Sequence, residues 1–192
     1  MENAQCYLVG GAPRTGKTTL AERIATKHGV KSLSTDSISV IMTKLVRRKD
    51  YPNLFYKQGL TVEEFYKKYD TPAKEVAAGV KAGYDTEVAT TAIIEHTLPA
   101  WKVIVVEGAF ITPGFVRRFQ EKYPKLTIHP TFLFDDNKGR IKELIYAKGL
   151  WGHNAKPYPD AIKLKEIEYV VAYNEWFLNE IERYGFDITK VR

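Results

Sequence analysis

Apolar residues in this chain either run together over four or five positions or recur at helical spacing. Cys6-Tyr7-Leu8-Val9 is a short β-prone run that stops at Gly10-Gly11, and 18–28 then has the pattern of a helix closed by Gly29. A second short strand is expected at 31–35, so residues 6–36 make a strand–loop–helix–strand unit of about the 30 residues of a βαβ unit. Val103-Ile104-Val105-Val106 is an unbroken β-branched run, as suits a central parallel strand covered on both faces. Phe132-Leu133-Phe134, led in by Thr127-Ile128, repeats the pattern, and 186–188 is a weak last strand. Helical periodicity covers 37–47, 62–69, 73–83, 86–98, 115–123, 140–148 and 162–184. Strands alternating with helices predict an α/β sheet in three layers. The stretch 37–101 is too long for a simple crossover and is read as a helical insertion over the strand ends.

The length, 192 residues, suits one domain spanning 1–192. No apolar run approaches the roughly 20 residues of a membrane span, and residues 1–5 lack a basic, apolar leader, so a cytoplasmic chain with no membrane partner is expected. Cys6, the single cysteine, sits inside the first apolar run, where a buried, inert thiol is expected. The net charge is +6, and it is uneven: residues 43–68 and residues 136–165 each hold seven basic against three acidic side chains. Such a field suits an anionic small ligand or a nucleic acid backbone.

Gly11-Ala12-Pro13-Arg14-Thr15-Gly16-Lys17-Thr18 matches the phosphate-binding pattern G-x-x-x-x-G-K-[ST] (Walker A), with a strand before it and a helix after it. Its glycines let backbone N–H groups turn onto phosphate oxygens, and the helix N-terminus adds positive potential. Lys17 is expected to bridge the β- and γ-phosphates of ATP, Thr18 to ligate Mg²⁺, and Thr19 to lie beside the α-phosphate. Ligands of open α/β sheets bind outside the carboxyl ends of the strands. Asp36, Glu107 and Asp135-Asp136 all follow strand candidates there. Asp36 is expected to orient an acceptor hydroxyl and take its proton late, although the same position also suits a helix N-cap. Glu107 is expected to hold Mg²⁺ through water in the manner of a Walker B acid, with Asp135 its competitor. Cys6 and the four histidines show no metal-ligand spacing.

Three segments carry the likeness to a family: residues 10–21 around the glycine loop, Ser34-Thr35-Asp36-Ser37-Ile38, and Val105-Val106-Glu107-Gly108 with Pro113-Gly114. They resemble the P-loop small-molecule kinases, the superfamily of shikimate, gluconate and nucleoside monophosphate kinases, and within it the 2-phosphoglycerate kinase-like group. The resemblance spans about 5–40 and 84–118, with a lid-like stretch near 136–160. It implies a parallel five-stranded sheet in the order 2-3-1-4-5 and places Asp36 and Gly108 beside the acceptor. Where that group has a histidine soon after Glu-Gly, this chain has Ala109-Phe110.

Arg140 opens a helix just after Asp135 and is the candidate lid cation, in a lid spanning about 138–160 that includes His153. Arg47 and Arg117 are candidate ligands for the acceptor's anionic group. The expected activity is ATP- and Mg²⁺-dependent transfer of the γ-phosphoryl to a hydroxyl or phosphate of a small anionic metabolite by a monomer or homodimer. A nucleotide or polynucleotide kinase, and a nucleotide-binding switch or ATPase, are the alternatives.

Overall fold

The computed structural model describes residues 4–148 and 158–191. Strands β1 (Gln5–Gly11), β2 (Ser32–Ser34), β3 (Val103–Glu107), β4 (Thr127–Phe134) and β5 (Ile188–Lys190) form one sheet in the order β2-β3-β1-β4-β5. Every pairing is parallel, with Val9 opposite both Glu107 and Thr131. The α/β class and the strand order 2-3-1-4-5 are those expected in the sequence analysis. The last strand is shifted: it starts at Ile188, because Phe186 turns inward against Phe132, with ring centroids 5.1 Å apart.

Alternation along the strands divides the core. Cys6, Leu8, Ile104, Val106 and Phe132 face α4 (Pro72–Trp101), α5 (Pro113–Lys122) and α7 (Asp160–Tyr184), while Val9 and Val105 face Ala21 and Ala25 of α1 (Lys17–His28). Each fully buried Val, Leu or Phe contributes about 1.5–3 kcal/mol. Cys6 is buried, and burial pushes its thiol up to about 12, which leaves it un-ionised. No helix among the described residues is long and apolar enough to cross a membrane.

Helix α2 (Thr35–Leu45), a 3₁₀ turn (Pro52–Phe55), α3 (Val62–Lys68) and α4 lie between β2 and β3. Ile38, Met42, Leu54 and Phe55 form a small core of their own there. The two helices expected at 73–83 and 86–98 are one 30-residue helix, α4. Gly83-Tyr84-Asp85 reads as a break, but the missing side chain at Gly83 admits Phe110: a Cβ there would come within 3.2 Å of its ring. The helix therefore runs on under the loop that follows β3. Helix α6 (Lys138–Lys148) begins at the carboxyl end of β4, with Asn137 accepting from the Arg140 backbone N–H at 3.0 Å. The expected lid segment beyond it, with His153, lies mostly outside the described residues.

Candidate active site

The loop between β1 and α1 owes its shape to two glycines. Gly11 has φ +145°, and a Cβ on it would lie 2.5 Å from the Leu133 carbonyl oxygen. Gly16 (φ 87°) is the left-handed residue that opens α1. Thr15 folds inward and donates to the Ala12 carbonyl at 2.9 Å. Lys17 donates to the same carbonyl at 2.7 Å, so its buried ammonium is held over the loop. Burial pulls Lys17 down to about 8, against the opposing pull of Glu107 and Asp36. Thr18 and Thr19 are exposed at the mouth of the loop. A cleft of about 370 Å³ lies here, lined by Arg14, Gly16, Lys17, Thr18, Thr19, Arg140 and Leu144.

Thr18 reaches across the sheet edge and donates to Glu107 Oε1 at 3.3 Å. Glu107 is buried, and its carboxyl is raised by that burial and by Asp36, against the lowering effects of Lys17 and of hydrogen bonds from Thr18 and Ser34. Gly108 follows with φ +148°; a Cβ there would stand 1.7 Å from Thr35 Oγ1. The glycine thus brings the end of β3 against α2, which carries Asp36 in its first turn.

Ser34, not Asp36, caps α2: its Oγ accepts from the Asp36 backbone N–H at 3.2 Å. That leaves the Asp36 carboxylate exposed, in the company of Lys17 and Glu107 on one side and of Tyr56 and Tyr173 on the other, all of which feel its charge. Asp135, the rival of Glu107, is engaged differently. One carboxylate oxygen accepts from the Asn137 N–H at 3.0 Å, and the other pairs with Arg140. Arg140 therefore stands at the cleft on a carboxylate support.

The other two arginines do not join this group. Arg47 lies beyond the end of α2, 72% exposed, and pairs with Asp50 at 2.8 Å. Arg117 donates to the Tyr184 carbonyl at 2.6 Å and stacks over Phe186 at 4.8 Å, while its neighbour Arg118 pairs with Glu87.

Two buried carboxylates escaped the sequence reading. Glu75 shares the inward stripe of α4 with Gly79, Ala82, Thr86 and Thr90, and Glu166 shares that of α7 with Val170, Tyr173 and Phe177. The signal was there: an acidic residue in register with a buried helical stripe. Its meaning depends on what packs opposite.

The donors at this edge suit a small hard cation. Thr18 and Glu107 offer hydroxyl and carboxylate oxygen only, and the carboxylate is buried at the mouth of the loop. That matches Mg²⁺, which is held by one or two protein oxygens together with phosphate and water. Among the described residues, no group of three or more His, Cys, Asp or Glu forms a metal cage of its own.

No family model matches the chain. It is 30% identical over 139 residues to the 2-phosphoglycerate kinase of Methanothermobacter thermautotrophicus, covering 70% of this chain and 45% of the relative. With the enzyme of the same name from Methanocaldococcus jannaschii it is 23% identical, over 95% of this chain and 57% of the relative. With that of Thermococcus kodakarensis the figures are 26% identity, 60% and 40%. The chain spans about half the length of these relatives. Among solved structures, an uncharacterized protein from Eubacterium ventriosum superposes with a TM-score of 0.47 at 12% identity, over 98% of this chain and 89% of the other. By sequence, the chain is a relative of the archaeal 2-phosphoglycerate kinases.

Proposed function

We propose that the chain is an ATP- and Mg²⁺-dependent phosphotransferase acting on a small hydroxylated acceptor. The observation that carries this is the convergence of Lys17, Thr18, Glu107 and Asp36 at one sheet edge, with Arg140 on the same cleft as the glycine loop. In this reading 1–192 is one kinase domain, 37–101 the acceptor-side insertion and about 138–160 the lid. Backbone N–H groups of Gly11, Ala12, Arg14, Thr15 and Gly16, with the start of α1, cradle the phosphates, while Pro13, which has no N–H, stiffens the loop. Lys17 releases the Ala12 carbonyl and turns to the β- and γ-phosphates. Thr18 and, through water, Glu107 hold Mg²⁺, which screens the phosphate charge.

Asp36 accepts a hydrogen bond from the acceptor hydroxyl. As the bond between the γ-phosphorus and the β,γ-bridging oxygen breaks and the bond to the acceptor oxygen forms, the hydroxyl proton passes to Asp36. Arg140, steadied by Asp135, faces the equatorial oxygens of the transferring group. Gly108 sets the approach of β3 to the acceptor side. The relatives' name makes a phosphorylated hydroxy acid the first acceptor class to assay; Arg47 and Arg117, expected to bind its anionic group, are engaged with Asp50 and Tyr184.

The test is incubation with ATP, Mg²⁺ and pooled metabolites, nucleosides and short oligonucleotides, with products resolved by mass and Lys17→Ala as the blank. A new phosphorylated small molecule supports the reading. A phosphorylated oligonucleotide would favour the polynucleotide kinase alternative, and ADP formed from water alone would favour the switch.

A further inference from the structure

Asn174 lies on the inward stripe of α7 with Val170, Tyr173 and Phe177, and it is buried. Asparagine is a poor helix former, and burying its amide is costly unless both ends are paired. Here they are. Oδ1 accepts from the Asp135 backbone N–H at 3.1 Å, and Nδ2 donates to the Val170 carbonyl at 3.0 Å. With a donor on one side and an acceptor on the other, the amide has one orientation that satisfies both.

The Asp135 N–H needs that acceptor because the sheet no longer serves it. Strand β4 is in register with β1 as far as Leu133 and with β5 as far as Phe134. Asp135 is the next residue and is buried, so the Asn174 amide stands in for the strand that has ended. From there the contacts run outward to the cleft. One carboxylate oxygen of Asp135 accepts from the Asn137 N–H, Asn137 in turn accepts from the Arg140 N–H at the start of α6, and the other carboxylate oxygen pairs with the Arg140 guanidinium. Arg140 Nε has no hydrogen-bond partner among the described residues, so the Asp135 carboxylate is what holds the guanidinium at the lining of the cleft. Moving Asp135 therefore moves Arg140, and a cation facing a transferring phosphoryl works only when placed to within about 0.5 Å.

We propose that Asn174 is a positioning residue: it fixes the exit of β4 and, through Asp135, the Arg140 guanidinium over the place of the nucleotide's terminal phosphate. The inference rests on the phosphotransfer reading and extends it into α7, 39 residues on from Asp135.

The test is calorimetric titration of the full chain with ATP and with ADP in Mg²⁺, because a cation at the terminal phosphate shows itself as a preference for ATP. The parent is expected to bind ATP more tightly than ADP. Asn174→Leu, which takes the acceptor from the Asp135 N–H, should cut that preference about tenfold, the worth of one charge-assisted contact, while the ADP Kd stays within about twofold and the thermal melt remains cooperative. Arg140→Ala should cut it at least as much. In the Arg140→Ala chain, Asn174→Leu should change the preference by less than about twofold, since no guanidinium is left to place. A merely structural asparagine would weaken ATP and ADP alike and would add its effect to that of Arg140→Ala; either result overturns the positioning role, as does a parent with equal affinity for both nucleotides. Should Asn174→Leu not melt cooperatively, Asn174→Ala, which removes the same acceptor without apolar bulk, is read in its place, and failure of both to fold assigns the residue to stability alone and overturns the proposal. If ATP binds and the preference is unchanged in the variant, only the positioning role falls, whereas a parent chain that binds neither nucleotide loses the phosphotransfer reading as well.

Discussion

Thr18 and Glu107, 89 residues apart in sequence, meet through a 3.3 Å hydrogen bond at the mouth of the glycine loop. The contact exists because β1 and β3 are neighbours in register, so the loop after one and the last residue of the other share an edge. Neither side chain makes an oxygen site alone; together they offer a hydroxyl and a buried carboxylate.

Glu107→Gln keeps the shape and removes the charge that, in the proposed function, would hold water-bridged Mg²⁺. The Mg²⁺ concentration giving half-maximal rate is expected to rise about 10- to 100-fold, as for other residues that support a metal's ligands. The Mg²⁺ dependence of the initial rate measures it. An unchanged dependence would reassign the role, with Asp135 next in line.

Asp36 and Lys17 separate binding from transfer. Asp36→Asn should lower kcat by about 10²- to 10⁴-fold, the range of a general base, with little change in nucleotide Kd. Lys17→Ala should damage both, because in the proposed function the ammonium would bind phosphate before transfer and stabilise charge during it. Comparing kcat with nucleotide Kd for the two variants decides the matter.

Nucleotide affinity should be pH-dependent through Lys17. Burial lowers this group to about 8 in the free chain, and phosphates favour its charged form, so binding raises it again. Affinity is therefore full below pH 8 and falls as pH rises above it, by up to about tenfold per unit. Calorimetry above pH 8 should also show proton uptake on binding. A flat profile in wild type would sink the idea, and Lys17→Ala should be flat.

Stability should carry the mark of Glu75. Burial, with the charge of Glu166, lifts its carboxyl from 4.5 to about 8, against the lowering pull of Lys57. Between those values the folded chain binds more protons than the unfolded one, so this group's contribution is fully present below pH 4.5 and is lost as pH rises through 8. Denaturant titrations at several pH values should show Glu75→Gln flattening that decline.

Gly108→Ala tests packing between β3 and α2. Its Cβ would overlap Thr35 Oγ1, and φ +148° is unfavourable for alanine, so a loss of about 2–4 kcal/mol is expected. Chemical denaturation gives the value, and a change below 0.5 kcal/mol would contradict the geometry.

Residue order alone was enough to read the sheet class, the glycine loop and the carboxylates at the ends of β2 and β3. Those features are local: a β-branched run, a glycine turn of defined spacing and an acid at the carboxyl end of a strand each state themselves within a dozen positions. Pairing across the fold was a different matter. Nothing near Gly83 says that Phe110 will fill its missing side chain and let α4 continue. Nothing near Arg117 points to the Tyr184 carbonyl, and nothing near Arg140 singles out Asp135 over an open phosphate site. Glu75 and Glu166 lie on helical stripes 91 residues apart, and only packing α4 against α7 puts both carboxylates and the tyrosines into one buried group. Backbone periodicity is set by neighbours in sequence, whereas the partner of a charge is set by which surfaces fold together.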